Sequence, residues 1–421
     1  MDTFYQSMVV LAAVAIVLAL LADGLKARSW LPTTPLAATL FGIAAGPIAL
    51  GLLRPEHWQH PHHLLLEIAR LSVAMAVTSI ALRVPWAFWK RYAGGLALVL
   101  TVGMVAMWIT SAVLCWWLLP VGFATALLLG AALTPTDPVI AGSITTGRLA
   151  QKVVPARVRH ALAAESGAND GAAYAFVTLP LMAMLEKGAT WEHYAVDGLL
   201  RGILLACLAG AAVGLAVGGL QRLAERANLP SAASLPCVVV ALALLTLGAL
   251  QLIGSDGILG VFVAGVAFKA VSAHETERQR RQEERQEQTQ EVVDHLFSWP
   301  AFVIFGAMLP WVDWESHWTA LVVATVAVLL LRRPPWFYFF TRVFVEKKGA
   351  ADRAFLSWFG PIGMAAIFYC LHARDHHQPQ VWTFGSFVIF ASVIVHGVTA
   401  TAGTRWYGRA AGERERQAED G

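Results

Sequence analysis

Charge is what this chain has least of. Lys, Arg, Asp and Glu make up 14% of its 421 residues, against 57% hydrophobic residues, and the mean hydropathy is +0.58. That composition excludes an ordinary soluble domain and describes an integral membrane protein. Cysteine is scarce as well. Cys115, Cys207, Cys237 and Cys370 all lie within apolar stretches, without metal-ligand spacing. They predict buried, inert thiols and assign no redox compartment. No basic segment precedes the first apolar run, at roughly 6–23, and no small-residue cleavage site follows it, so it is read as a retained span. A carbonyl filter of the TVGYG kind is missing, which argues against a cation channel. The Tyr-Asp and Gly-x-Gly-Asp signatures of an intramembrane aspartyl protease are missing too. A net charge of +3 points to no nucleic-acid partner.

What the chain does have is apolar segments. They recur at about 6–23, 32–53, 63–85, 94–119, 122–146, 158–184, 196–220, 233–252, 255–272, 294–312, 317–341, 352–373 and 380–404. This spacing predicts an all-α polytopic membrane protein of about thirteen transmembrane helices. Most Lys and Arg fall on one side of that arrangement. Only Arg54, Lys187, Arg201 and Arg374 fall on the other, and Arg70, Arg332 and Arg333 lie within spans. The positive-inside rule then places the chain in a cell membrane with the N-terminus outside and the C-terminus in the cytoplasm. Residues 273–293 read as a charged cytoplasmic connector, and 406–421 as a short cytoplasmic tail.

Two neighbouring segments carry polar clusters at membrane depth, where each ionisable group marks a functional site by default. In the fifth, Thr136 and Asp137 lie between Pro135 and Pro138. Two prolines so close predict a broken helix with freed carbonyls, the device transporters use to hold cations near the midplane. In the sixth, Glu165-Ser166-Gly167-Ala168-Asn169-Asp170 puts Ser166 and Asp170 on one helical face and Glu165 and Asn169 on another. Hard oxygen ligands of this kind suit an alkali cation, so Asp170, Asp137, Ser166 and Thr136 form a candidate cation site.

A second break is expected in the twelfth segment at Gly360-Pro361-Ile362-Gly363. Breaks in the fifth and twelfth of thirteen spans are what an inverted repeat with two crossing broken helices would produce. Arg332 and Arg333 cannot shed their charge, and Glu165 is the natural buried partner for one of them. Glu67 and Arg70 read as a local pair, with Glu67 reaching the ion site through water as a further option. Asp256 is placed near the outer mouth, as a helix cap or a functional acid.

The pattern LTPTDPV…AGSI…VRH-LAAESGANDG, with E-x-x-R in the third helix, LFSWPAFVIFGAMLPW and WFGPIG, resembles the monovalent cation/proton antiporter superfamily. It is most similar to the fungal plasma-membrane alkali-cation/proton antiporters and their bacterial relatives. The resemblance covers nearly the whole of residues 1–405. It implies a homodimeric transporter, not an enzyme, that exchanges Na+, K+ or Li+ for protons by elevator-like alternating access, without a cofactor. Core helices would span about 94–184 and 317–404, and dimerisation helices about 1–85 and 196–272. Asp170 would bind cation or proton, surrounded by Thr136, Asp137, Ser166 and Asn169. Glu165 would pair with an arginine of the eleventh helix, with Arg332 favoured. One departure is Ile362, where many members carry arginine in a G-x-R-G motif. Because Asn169 cannot titrate, one proton per cation is expected.

Overall fold

The computed structural model describes residues 2–27, 33–145, 148–185, 190–227, 234–255, 257–272, 294–344 and 349–419. Asp256 and the 273–293 connector lie outside the described residues. Among the described residues there is no strand, and each of the thirteen apolar segments is helical. We number the helices by segment: α1 (Asp2–Ala27), α2 (Thr34–Ala45), α3 (Pro61–Arg83) and α4 (Trp86–Leu118). The fifth segment is split into α5a (Phe123–Ala132) and α5b (Pro138–Thr145). Then come α6 (Ala156–Leu185), α7 (Trp191–Arg226), α8 (Ser234–Leu252), α9 (Gly257–Ser272) and α10 (Trp299–Ala307). The last three segments give α11a (Trp318–Leu331) and α11b (Pro334–Phe340), α12a (Ala350–Trp358) and α12b (Met364–Asp375), and α13 (Pro379–Glu419).

At about 1.5 Å per residue a helix needs roughly 20 residues to cross a bilayer core. Five helical stretches are long and apolar enough by length and composition: Pro61–Arg83, Trp86–Leu118, Trp191–Arg226, Trp318–Val343 and Pro379–Ala411. Six shorter apolar helices accompany them. The polarity of the molecule is inverted relative to a soluble protein. Leu20, Leu208, Leu215, Leu220 and Leu223 stand exposed on α1 and α7, while Asp137, Glu165, Asp170, Arg332 and Arg333 are buried. Cys115 and Cys370 are buried as expected, but Cys237 lies exposed on α8, whose outer face is apolar enough to accept a thiol at the surface.

The centre of the fold is α6. Every residue from Ala161 to Gly171 is buried, so this helix is enclosed on all sides there. Gly171 makes the enclosure possible, because a Cβ at this position would strike the backbone of Leu259 on α9. The closely packed α3, buried without interruption from Ser72 to Leu82, covers another side.

Both expected breaks are present, in α5 between Ala132 and Pro138 and in α12 between Trp358 and Met364. A third, unforeseen break divides α11 at Arg332-Arg333. Its cause is in the sequence: Pro334 and Pro335 cannot donate to the preceding turn, so they start a new helix instead. The start of the expected tail is not loose either. Residues 406–411 continue α13, and the buried Tyr407 donates to Asp352 Oδ1 at 2.6 Å.

Candidate functional site: an orphan carboxylate among satisfied charges

The site is built where the breaks of α5, α11 and α12 meet. Asp137 precedes Pro138, the first residue of α5b, and its Oδ1 accepts from the amides of Val139 at 2.6 Å and Ile140 at 3.0 Å. That is an N-cap with proline at the first helical position. Its Oδ2 accepts from the amide of Met364, the first residue of α12b. One carboxylate thus caps two half-helices at their positive ends. The Asp137 amide also donates to Pro361 O at 2.7 Å, fastening the two breaks together. Gly363 is required at this crossing, since a Cβ there would fall on the Asp137 carboxylate.

Arg332 does the converse. Its Nη1 donates to Leu133 O at 2.5 Å and Thr134 O at 2.9 Å, at the C-terminal end of α5a. Its Nη2 donates to Gly360 O at 2.6 Å, beyond the end of α12a. Two negative helix ends share one guanidinium. Of the carbonyls expected to be freed by the prolines, Thr134 O is taken by Arg332, and Ala131 O accepts from the Thr134 amide at 3.1 Å.

Arg333, not the favoured Arg332, is the partner of Glu165. Its Nη1 and Nη2 meet Glu165 Oε1 and Oε2 at 2.8 and 3.0 Å, a bidentate pair with both side chains buried. The reason is the break itself: once α11 stops, the two arginines no longer follow helical spacing, and only Arg332 reaches the carbonyls of α5. Arg333 is further held by Leu356 O at 3.1 Å and by the ring of Phe337 beneath its guanidinium at 3.6 Å.

The polar neighbours of Asp170 on α6, Ser166 and Asn169, are also occupied. Asn169 Nδ2 donates to Glu165 Oε1 at 2.7 Å and to Thr136 Oγ1 at 2.8 Å, while its Oδ1 accepts from the Thr136 amide at 3.1 Å. The Ser166 hydroxyl donates to Thr136 O at 2.5 Å and accepts from Thr136 Oγ1 at 3.2 Å. Asp170 differs from all of these. It is fully buried, and neither carboxylate oxygen has a hydrogen-bond partner among the described residues. Its main-chain carbonyl, by contrast, accepts from Tyr369 OH of α12b at 2.7 Å.

The electrostatic sum follows. Glu165 is offset by Arg333, Asp137 by helix N-termini, and Arg332 by helix C-termini. Among the described charges of this site, Asp170 alone has no offset, and a bare buried carboxylate is costly enough to favour gaining a proton or a cation. Glu67 and Arg70 form the expected local pair at 2.9 Å on α3, apart from these contacts.

The profile of the transmembrane sodium/hydrogen exchanger family matches residues 9–406. The chain belongs to that family. Among its relatives, a Na+/H+ antiporter of Saccharomyces cerevisiae is 28% identical over 86% of this chain, and the match takes in 39% of the yeast protein. Na+/H+ antiporter 2 of Zygosaccharomyces rouxii is 29% identical over 86% of this chain and 48% of its own length. The chain therefore spans less than half the length of these relatives. The fold is similar to that of the sodium proton antiporter MjNhaP1 of Methanocaldococcus jannaschii, with a TM-score of 0.68 and 15% identity over 96% of this chain and 99% of that one.

Within this exchanger fold, sequence reasoning singled out the three acids that the structure brings together here, Asp137, Glu165 and Asp170, but missed what holds the breaks. The double duties of Asp137 and Arg332 could not be read from one segment, because each side chain serves two helices distant in sequence. The RRPP run was the available signal for the third break. Ser392 and His396 of α13 were missed as well. Ser392 Oγ accepts from the Ile362 amide at 2.7 Å, and His396 Nε2 lies 3.2 Å from Trp358 O, so α13 supports the unwound stretch from behind.

Proposed function

We propose that this chain exchanges a monovalent alkali cation for protons, with Na+ first and K+ and Li+ as further candidate ions, and that Asp170 is the group for which cation and proton compete. The observation that carries this reading is the orphan carboxylate of Asp170 beside buried charges that are each offset, Glu165 by Arg333 and Asp137 by helix N-termini. Such a group is stable when neutralised and unstable when bare. If the site crosses the membrane only when neutralised, each cation moved one way obliges a proton to move the other way. No covalent chemistry enters, and no cofactor is needed.

In this reading Thr136, Ser166 and Asn169 set the wall beside Asp170, and the hydroxyls of Thr136 and Ser166 supply further oxygens. Asp137 remains ionised as a helix cap and moves no proton. Glu165 and Arg333 lock α6 to α11. The core helices of about 94–184 and 317–404 carry the site past the helices of about 1–85 and 196–272 in an elevator-like step. Those outer helices join two copies into a homodimer, with the N-terminus outside the cell membrane and the C-terminus in the cytoplasm. The yeast and archaeal proteins named above as Na+/H+ antiporters support the same substrate class.

The test is reconstitution of the full chain into liposomes loaded with a pH-sensitive dye. Imposing an acid-inside gradient and then adding Na+, K+, Li+ or choline outside should alkalinise the lumen with at least one alkali cation and not with choline. Proton flux that ignores the cation added would overturn the assignment.

A further inference from the structure

The molecule has a second polar concavity, at the starts of two helices and separate from the buried acids of the site. It is an open cavity of about 450 Å³ lined by Arg91, Arg157, His160, Phe88 and Tyr92, with Pro85 and Ala87 at its edge. These residues come from the beginnings of two helices, α4 at Trp86 and α6 at Ala156. Neither helix has an acidic residue in its first turn. The lining thus combines the cationic side chains of Arg91 and Arg157, an imidazole, and two helix ends whose dipoles are positive. Among the described residues, no carboxylate lines the cavity. Asp352 Oδ2 lies 3.5 Å from Arg157 while its Oδ1 is bonded to Tyr407, so Asp352 steadies Arg157 rather than filling the cavity.

The walls are aromatic. Phe88 packs edge-on against His160 at 5.7 Å and lies 4.7 Å from Tyr92, giving an apolar side to a basic pocket. The cavity opens at the end of the helices that the Lys and Arg distribution assigns to the cytoplasmic leaflet, next to Trp86 and Trp89, residue types that settle at headgroup depth.

We propose that this cavity binds a phosphate-bearing anion, its phosphate held by Arg91, Arg157 and His160 and its apolar portion lying against Phe88 and Tyr92. A guanidinium fork matches two phosphate oxygens, and two forks around one anion exceed what a lone surface lysine offers. Basic pockets between helices on the cytoplasmic side are also where anionic headgroups are held. The site goes beyond the exchange reading and does not depend on it. An occupant would tie the start of α4 to the start of α6, the helix that carries Asp170.

The experiment measures binding, not transport. Purified full-length chain in a neutral detergent is given phosphatidylglycerol, phosphatidylcholine or inorganic phosphate, and the midpoint of thermal unfolding is recorded. A ligand that binds the folded state alone raises that midpoint. Phosphatidylglycerol should raise it by a few degrees and phosphatidylcholine should not. Arg91 is exposed, so Arg91→Gln should fold normally and lose most of the rise. Arg226→Gln, an exposed charge removed from α7, should keep it. Asp170→Asn should keep it too, even though its transport is lost, which separates this site from the exchange assignment. An equal rise with millimolar inorganic phosphate, lost in Arg91→Gln, would identify soluble phosphate as the source of the same chemistry. A rise that survives Arg91→Gln unchanged, or no rise with either phosphate compound, would overturn the proposal.

Discussion

The identity of each buried charge matters less than whether something offsets it. Glu165 and Arg333 share two hydrogen bonds and both are buried. Removing one partner from such a pair strands the other, typically at about 3–5 kcal/mol, whereas removing both is far milder. Glu165→Gln and Arg333→Gln should therefore each lower the thermal midpoint markedly, and the double variant should recover part of the loss. Strictly additive losses in that double-mutant cycle would mean the pair does not couple. The same cycle with Arg332 in place of Arg333 should show no such recovery. At this scale the sequence was legible as to which acids matter, because an acid inside an apolar run stands out. Which arginine meets Glu165 was not legible, since the answer depends on where α11 stops.

The half-helices depend on two side chains that each close two helix ends, Asp137 at two N-termini and Arg332 at two C-termini. The crossing is tight. A methyl group at Gly363 would occupy the space of the Asp137 carboxylate. Gly363→Ala should thus push apart α5b and α12b, cost about 1–3 kcal/mol as overpacking, and impair exchange beyond what the stability loss explains. Full activity and an unchanged thermal midpoint in that variant would contradict the crossing described here. The breaks in α5 and α12 were readable because proline removes a donor at a known place in a helix. The satisfaction of the freed carbonyls was not readable. Proline states which groups lose their partners, and only the three-dimensional arrangement shows that Arg332 replaces them. The expectation that such carbonyls face a cation gives way, for Thr134 O, to a guanidinium that is always present.

For the whole molecule, the thirteen apolar segments were visible as runs because a chain in lipid has no alternative to burying its backbone bonds in helices. The packing of α6 against α9 through Gly171 follows from small residues at the right spacing. The assembly of three breaks around one point is a property of topology and left only the pattern of two matched breaks as its trace. The stoichiometry belongs to this scale as well. In the proposed reading, with Asp137 held as a cap, Glu165 held by Arg333 and Asn169 unable to titrate, Asp170 would be the single carrier. The expected exchange is one proton per monovalent cation, without net charge movement. A potential of 100 mV acting on one net charge is worth about 2.3 kcal/mol, so proteoliposomes clamped with valinomycin provide a sensitive test. Sodium-driven proton flux should be the same whether valinomycin holds the potential at zero with equal potassium on both sides or away from zero with a potassium gradient, with a sodium-free control at each setting to keep ionophore and substrate distinct. Flux that follows the potential would contradict the one-to-one exchange and make Asp137 the first candidate for a second titrating group.

The competition of proton and cation for Asp170 is tested most directly by proton release on cation binding. Purified chain in weakly buffered detergent solution, at a pH where the site is largely protonated, is mixed with Na+, K+ or Li+ while a pH dye reports the protons set free. The wild-type chain should release protons with at least one alkali cation, approaching one per site at saturation. Asp170→Asn keeps the size of the side chain but cannot titrate, so it should release none while keeping a normal unfolding profile. Undiminished cation-induced proton release from Asp170→Asn would contradict the account at its centre.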